Sequence, residues 1–442
     1  MGMMASVRPR LAALAGLAGL ALLAAAPAQA LEIQGLKSPG GAVFWLVEEP
    51  SIPIVALEIS FAGGARLDPE GRTGLANMMA GLIDEGAGDL DAVGFSKARD
   101  EVSARFGFSA GRDTMDISAR MLVETLEPSV ALLATALASP RFDPEPVGRV
   151  RAQILSVIAE SGTEPDTVAA EAWYAGAFPD HPYGRPRRGT AESVSAITRD
   201  DLVAARLRLL TRANARIAVV GAIDASRAGR MVDTILAGLE QGTVLVRART
   251  SDTPPPGLRV IELDVPQSAA VFGHAGLARD DPDFIPAYVM NYVLGGGGFA
   301  SRLMEEVREK RGLAYSVYSY LSVRDETALY LGGVQTANER MAETLEVIKA
   351  EWARMAAAGI TAEELDRARR YLTGAFPLRF DSNAKIASYL VFMQKENLGI
   401  DYLERRNGLI EAVTVDDVKR VAARLLKPAN LSIVVVGKPE GL

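Results

Sequence analysis

The rhythm of apolar positions changes period along the chain, and each period names an element. From residue 54 to 61, Val55, Leu57, Ile59 and Phe61 alternate with Ala56, Glu58 and Ser60, the period-two pattern of a strand with one buried face. Residues 43–47 and 115–122 read as strands as well. Between them, residues 73–84 (TGLANMMAGLID) switch to a helical period. Leu75, Met78, Met79, Leu82 and Ile83 fall at i, i+3, i+4, i+7 and i+8, the core stripe of a helix. Asn77, Ala80, Gly81 and Asp84 are left on the opposite face. Two strands, a helix, another strand and further helices predict an α+β unit: a mostly antiparallel sheet with helices packed on one face.

That unit occurs twice. Residues 196–221 and 412–437 align without a gap at a constant offset of 216, and thirteen of the 26 positions are identical, among them Thr198/Thr414, Asp200/Asp416, Asn214/Asn430 and Gly221/Gly437. A Thr followed within three positions by two Asp residues is a helix N-cap with acidic first-turn residues, and the apolar run ending each copy is a buried strand. A helix and a strand therefore close each half. Residues 251–257 (SDTPPPG) form a polar, proline-rich linker between the halves. This predicts two homologous domains, 31–250 and 258–442.

Residues 1–30 stand apart. They carry Arg8 and Arg10, an apolar run (LAALAGLAGLALLAAA) and Ala28-Gln29-Ala30, the three parts of a secretory signal peptide. The run is too short and alanine-rich for a permanent span, and no other stretch approaches spanning length. A periplasmic protein beginning at Leu31 is expected. The chain has 55 acidic against 48 basic residues, and loss of the leader's arginines makes it more acidic still, which argues against a nucleic-acid partner. With no cysteine, neither disulfides nor thiolate metal sites are available, so stability must come from burial.

The segment GARLDPEGRTGLA leading into the 73–84 helix resembles the start of the pitrilysin–insulinase family of zinc peptidases. The resemblance covers nearly all of the chain after residue 30. It implies an inverted His-x-x-Glu-His directly after Gly-Leu-Ala. Such a motif works because two imidazoles at i and i+4 face one way to ligate Zn²⁺, beside a Glu that activates the bound water. Here the three positions are Asn77, Ala80 and Gly81, a degenerate set without a competent ligand. The family's third ligand, a Glu some 75 residues on, would fall within residues 156–158 (SVI), and it is absent too. His181 and His274, the only histidines, show no ligand spacing. Asp84 and Glu85 are carboxylates near the place, and acidic residues ending a helix are expected to be solvated. No metal is expected in this chain.

Residues 291–322 (NYVLGGGGFASRLMEEVREKRGLAYSVYSYLS) are similar to the second domain of the same family. The resemblance implies that Arg308 and Tyr315 reach a substrate held at a zinc site, and that in members split into two subunits one chain brings the zinc motif and the other brings this pair. The residues alone leave a structural alternative open. Arg308 ends a charged helix, favourable to its dipole, and Tyr315 alternates with Leu313, Val317 and Leu321 as a core residue would. Gly295, Gly296, Gly297 and Gly298 with Ala300 also satisfy G-x-G-x-x-A. A dinucleotide site needs a preceding strand, whereas residues 284–294 read as helix, so the glycines are expected to break two helices and to let backbone approach a bound peptide.

The expectation is a non-catalytic, substrate-binding subunit of a periplasmic heterodimeric zinc metallopeptidase, paired with a zinc-bearing His-x-x-Glu-His homologue and acting on peptides. Two alternatives stand beside it: a stand-alone peptide-binding or structural homologue, like the non-catalytic core subunits of respiratory complexes, and a metallopeptidase with an unrecognised metal site.

Overall fold

A computed structural model describes residues 31–442 apart from Arg247 and Ser251. The signal peptide expected over residues 1–30 lies outside the described residues.

The first half builds a six-stranded sheet from β1 (Gln34–Lys37), β2 (Val43–Glu48), β3 (Ile54–Ala62), β4 (Arg105–Ala110), β5 (Thr114–Leu122) and β6 (Ala215–Gly221), in the order β1-β2-β6-β3-β5-β4. The second half builds five strands, β7 (Gly257–Glu262), β8 (Gln267–Ala275), β9 (Val317–Val323), β10 (Ala328–Ala337) and β11 (Ser432–Gly437), in the order β7-β11-β8-β10-β9. Apart from β1, the two orders match strand for strand. In each sheet a single neighbouring pair is parallel, β2 with β6 and β7 with β11. The duplication read from residues 196–221 and 412–437 therefore extends over both sheets.

The strand alternation lands as expected. Val55, Leu57, Ile59 and Phe61 of β3 point into the core that the first half makes with its own helices, where Leu75, Met78, Met79, Leu82 and Ile83 join them. Both repeat helices start at full capping boxes. Thr198 Oγ1 accepts from Asp201 N (3.2 Å) while Thr198 N donates to Asp201 Oδ2 (2.8 Å), and Thr414 repeats this with Asp417 at 3.1 and 3.0 Å.

The opposite face of each sheet carries a feature the apolar pattern did not announce. The helix Pro165–Ala177, from the first half, lies across β8 and β11 of the second, burying Trp173, Tyr174 and Ala177 against Leu331, Val434 and Val436. Its counterpart Asn383–Lys395, from the second half, lies across β3 and β6 of the first, burying Ile386, Leu390 and Met393 against Val47, Ala56 and Val220. Each half thus covers the other's sheet. Among the described residues no helix is long and apolar enough to cross a membrane.

Candidate functional site

The helix that corresponds to the metal-bearing one is shorter than its period suggested, Leu75–Ala80 with Gly81 as its C-cap. Gly74, at φ 90°, sets the entry turn. The buried carboxylate of Asp68 accepts from Gly74 N (2.9 Å) and Ala76 N (3.0 Å), satisfying donors that a helix start leaves orphaned. Burial pushes the Asp68 carboxyl up to about 6 in spite of these bonds.

The face expected to be open is partly closed. Ala80 is buried, Asn77 and Asp84 are half-buried, and Gly81 is exposed. The helix Pro144–Ser161 packs over it, with Val150 Cγ1 3.4 Å from where a Cβ at Gly81 would lie. On that same helix Ser156 and Val157 are exposed and Ile158 packs on the core. An asparagine, an alanine and a glycine, with a valine packed beside the glycine, do not fit a zinc ion. The neighbouring carboxylates correct the expectation of simple solvation. Asp84 takes a 3.0 Å ion pair from Arg99, and both oxygens of Glu85 are held by Arg149 at 2.6 and 3.2 Å.

The histidines have structural partners. His181 Nε2 lies 2.9 Å from Glu326 Oε2, and its Nδ1 accepts from Tyr183 N at 3.1 Å. His274 accepts from Trp352 Nε1 (3.1 Å) at Nε2 while Nδ1 faces the carbonyl of Ala275 (2.8 Å), so Nδ1 carries the proton. Burial holds the His274 pKa below its usual value. Among the described residues no three His, Cys, Asp or Glu side chains are grouped so as to hold a metal ion.

The second half presents a different picture. The helix Phe284–Asn291 runs into a π turn, Tyr292–Gly296, so a helix and not a strand precedes the glycines. Three of the glycines are used internally: a Cβ at Gly295 would lie 2.7 Å from Ser319 N on β9, one at Gly297 2.6 Å from Tyr292 O, and one at Gly296 would strike Asn291. Only Gly298, at φ +56°, faces open space. The chain then re-enters a helical stretch whose end, Met304–Glu309, is again wound as a π turn.

Arg308 leaves that turn and is clamped. Its guanidinium carbon sits 4.5 Å from the ring centre of Tyr315 and 4.6 Å from that of Phe299, and its Nη1 donates to the carbonyl of Tyr315 at 3.2 Å. Tyr315 is 81% exposed and Phe299 67%, although Leu313 and Val317 on either side of Tyr315 are buried. The core-packing alternative for Tyr315 therefore falls. The predicted pair is brought together at an open surface, and Phe299 is the residue the sequence reading missed. Its signal was an aromatic directly after the glycine run, where a loop has little structural reason to expose one.

What the arrangement offers is a cation fixed between two aromatic faces with an exposed phenol beside it, able to donate hydrogen bonds to a carbonyl or carboxylate brought from outside the chain.

Comparison with known proteins gives the chain's family. Residues 43–191 match the model of the insulinase family, peptidase family M16, and residues 196–372 match that of the M16 peptidase inactive domain. A protein of Helicobacter pylori named non-peptidase homolog YmxG is 27% identical over 344 residues, covering 78% of this chain and 79% of its own. An uncharacterized zinc protease of Mycobacterium tuberculosis is 28% identical over 411 residues, 90% of this chain and 92% of its own. The crystal structure of a peptidase M16 inactive domain from Pseudomonas fluorescens superposes with a TM-score of 0.87 at 30% identity, over 92% of this chain and 98% of that one.

Proposed function

This chain belongs to the insulinase family of peptidases, as a member that lacks the family's zinc ligands, and from that premise we propose that it is the non-catalytic, substrate-binding subunit of a heterodimeric zinc metallopeptidase. The observation that carries the reading is the contrast between its two halves. Asn77, Ala80 and Gly81 offer no competent zinc ligand, and Val150 packs beside Gly81, while Arg308 is clamped at an open surface beside Tyr315. A surface that kept this pair only for packing would have no reason to leave the phenol exposed.

In the proposed pair, a homologue carrying His-x-x-Glu-His supplies the metal, and this chain supplies Arg308 and Tyr315. Both donate hydrogen bonds, so their task is to stabilise the peptide carbonyl oxygen as it gains negative charge. Residues 1–30 lead us to propose the periplasm as the place of assembly and peptides as the substrates.

The test mixes the zinc-bearing homologue with the wild-type chain, Arg308→Ala or Tyr315→Phe, and measures peptide hydrolysis and association separately. Turnover is expected to fall by on the order of 100-fold to 1,000-fold in either variant, with association retained. Unchanged turnover in both variants would make the pair structural. If no homologue gains activity on mixing, the second reading takes over, a stand-alone peptide-binding protein.

A further inference from the structure

One edge strand of each sheet, β4 and β9, ends at the same place on the seam between the halves. Four arginines collect there. Arg187 Nη1 donates to the carbonyl of Ala110, the last residue of β4, at 2.7 Å. Arg324 directly follows β9 and lies beside Tyr174 on the helix Pro165–Ala177; burial opposes its charge, but Tyr174 and then Asp113 hold its pKa above the usual value. Arg112 donates from Nη1 to the carbonyls of Tyr183 (2.9 Å) and Arg185 (3.0 Å) and stacks over the Tyr174 ring at 4.4 Å. Arg188, exposed, follows Arg187.

Acidic partners at the seam are mostly committed elsewhere. Asp113 accepts from the Tyr183 hydroxyl at 2.5 Å and lies 3.7 Å from Arg66. Glu326 is shared by Arg66 (2.8 Å) and His181 (2.9 Å), and Asp325 lies 3.9 Å from Arg66. Glu171 faces Arg112 and Arg188, and Asp113, although bonded to Tyr183, also acts on Arg112 and Arg324. Arg324 Nε is buried with no hydrogen-bond partner, a costly state for a charged group. Burial, together with the cations Arg324 and Arg187, holds the Arg112 pKa below its usual value, and burial with Arg188 and Arg324 does the same for Arg187.

Four cations, two facing acids and an orphaned guanidinium donor describe a place short of anions. We propose that this seam binds a carboxylate of an acidic peptide through Arg112, Arg187, Arg188 and Arg324. A carboxylate matches the planar fork of arginine and accepts from two donors at once. The peptide class is indicated by β9, which pairs only with β10 among the described residues. Its exposed Tyr318 and Tyr320 stack at 6.1 Å and lead along the strand to Arg324. An extended chain laid on this edge would pack its side chains on the two rings and deliver an acidic residue to the arginines. The inference rests on the peptide-binding part of the proposed function and adds a charge class to it.

The experiment uses the purified full chain without any zinc-bearing homologue, so its outcome is independent of the turnover test. Fluorescence anisotropy compares a labelled octapeptide with a central Glu-Glu and its Gln-Gln twin, with free glutarate as competitor. The Glu peptide is expected to bind about tenfold tighter or more, given the usual worth of a charged hydrogen bond. In Arg324→Gln and in the exposed Arg188→Gln that preference should shrink to about twofold or less, with the Gln peptide's affinity and the melting temperature unchanged. Equal affinity of the two peptides, failure of both to bind, or a preference that survives both substitutions would overturn the proposal. Displacement of the Glu peptide by glutarate at equal concentration would overturn its peptide part, because a free carboxylate would then be the better ligand.

Discussion

Glu58 sits on the face of β3 that turns toward the helix Asn383–Lys395, at the floor of a groove that Gly107, Ser118 and Lys385 also line. Burial, and then the nearby Asp116 carboxylate, push its pKa up to about 7 from 4.5. The folded state therefore holds this proton more tightly than the unfolded chain does. Its contribution to stability is intact below pH 4.5 and declines as pH rises to about 7. Asp68, raised to about 6 by burial, acts with the same sign. Glu58→Gln should leave stability near pH 4.5 little changed. At pH 8 it should raise stability by on the order of 1–2 kcal/mol, with allowance for partial exposure. Urea midpoints of both proteins across that range check it, and parallel curves would refute the assignment. At this scale the candidate site was largely readable in advance. Ala80 and Gly81 have no ligating side-chain atom in any fold and Asn77 offers zinc only a weak amide ligand, and the spacing of Arg308 and Tyr315 is a property of the chain. Val150 over Gly81 and Phe299 over Arg308 were not readable, since both depend on contacts between segments far apart or on which way a loop residue turns.

Elements show where local rules hold and where packing overrides them. The capping boxes at Thr198 and Thr414 form as the Thr-Asp pattern predicts, because side chain and backbone satisfy each other within one turn. The metal-helix counterpart stops at Ala80 although its apolar stripe runs on to Ile83. Leu82 and Ile83 are buried anyway, from a turn, so burial periodicity overstated the helix. Strands β1 and β4 escaped notice because they are edges, where a half-exposed sequence such as RFGFSA carries no clean alternation. The π turn Tyr292–Gly296 is explained by close approach, not by glycine flexibility, since Gly295 packs against the β9 backbone at Ser319. Gly295→Ala should cost about 1–3 kcal/mol through overpacking. It should also disturb the start of β9, into which Tyr315 leads. Thermal melts with turnover of the mixed subunits measure both, and a neutral substitution would show that the turn yields freely.

The exchange of covering helices predicts one cooperative body, which the linker at residues 251–257 did not suggest. A proline-rich linker between two copies of a unit reads as a boundary between independent domains, and a linear pattern cannot state that a helix leaves its own half. Composition offered one trace: Trp173 and Tyr174 sit in a helix with little room for them in the first half's core. Trp173 is buried and its Nε1 donates to the carbonyl of Ser432 on β11 at 3.0 Å. Reciprocally, Gln394 Nε2 donates to the carbonyl of Ile217 on β6 at 2.9 Å. Removing either half would uncover Val47, Ala56, Ala218 and Val220 on one sheet, or Leu331, Val434 and Val436 on the other, and apolar faces of that kind drive association. Residues 31–250 expressed alone should therefore fail to give a stable monomer, and so should residues 251–442. Coexpressed as separate chains, the two should recover a complex, because the faces that hold them together need no covalent link. Trp173→Ala should cost the intact chain about 3–5 kcal/mol while unfolding stays a single transition that moves as a whole. Denaturant unfolding followed by tryptophan fluorescence and by circular dichroism distinguishes the cases. Two separated transitions, with only the later one shifted by Trp173→Ala, would mean that the halves are independent domains and that the crossed helices merely decorate them.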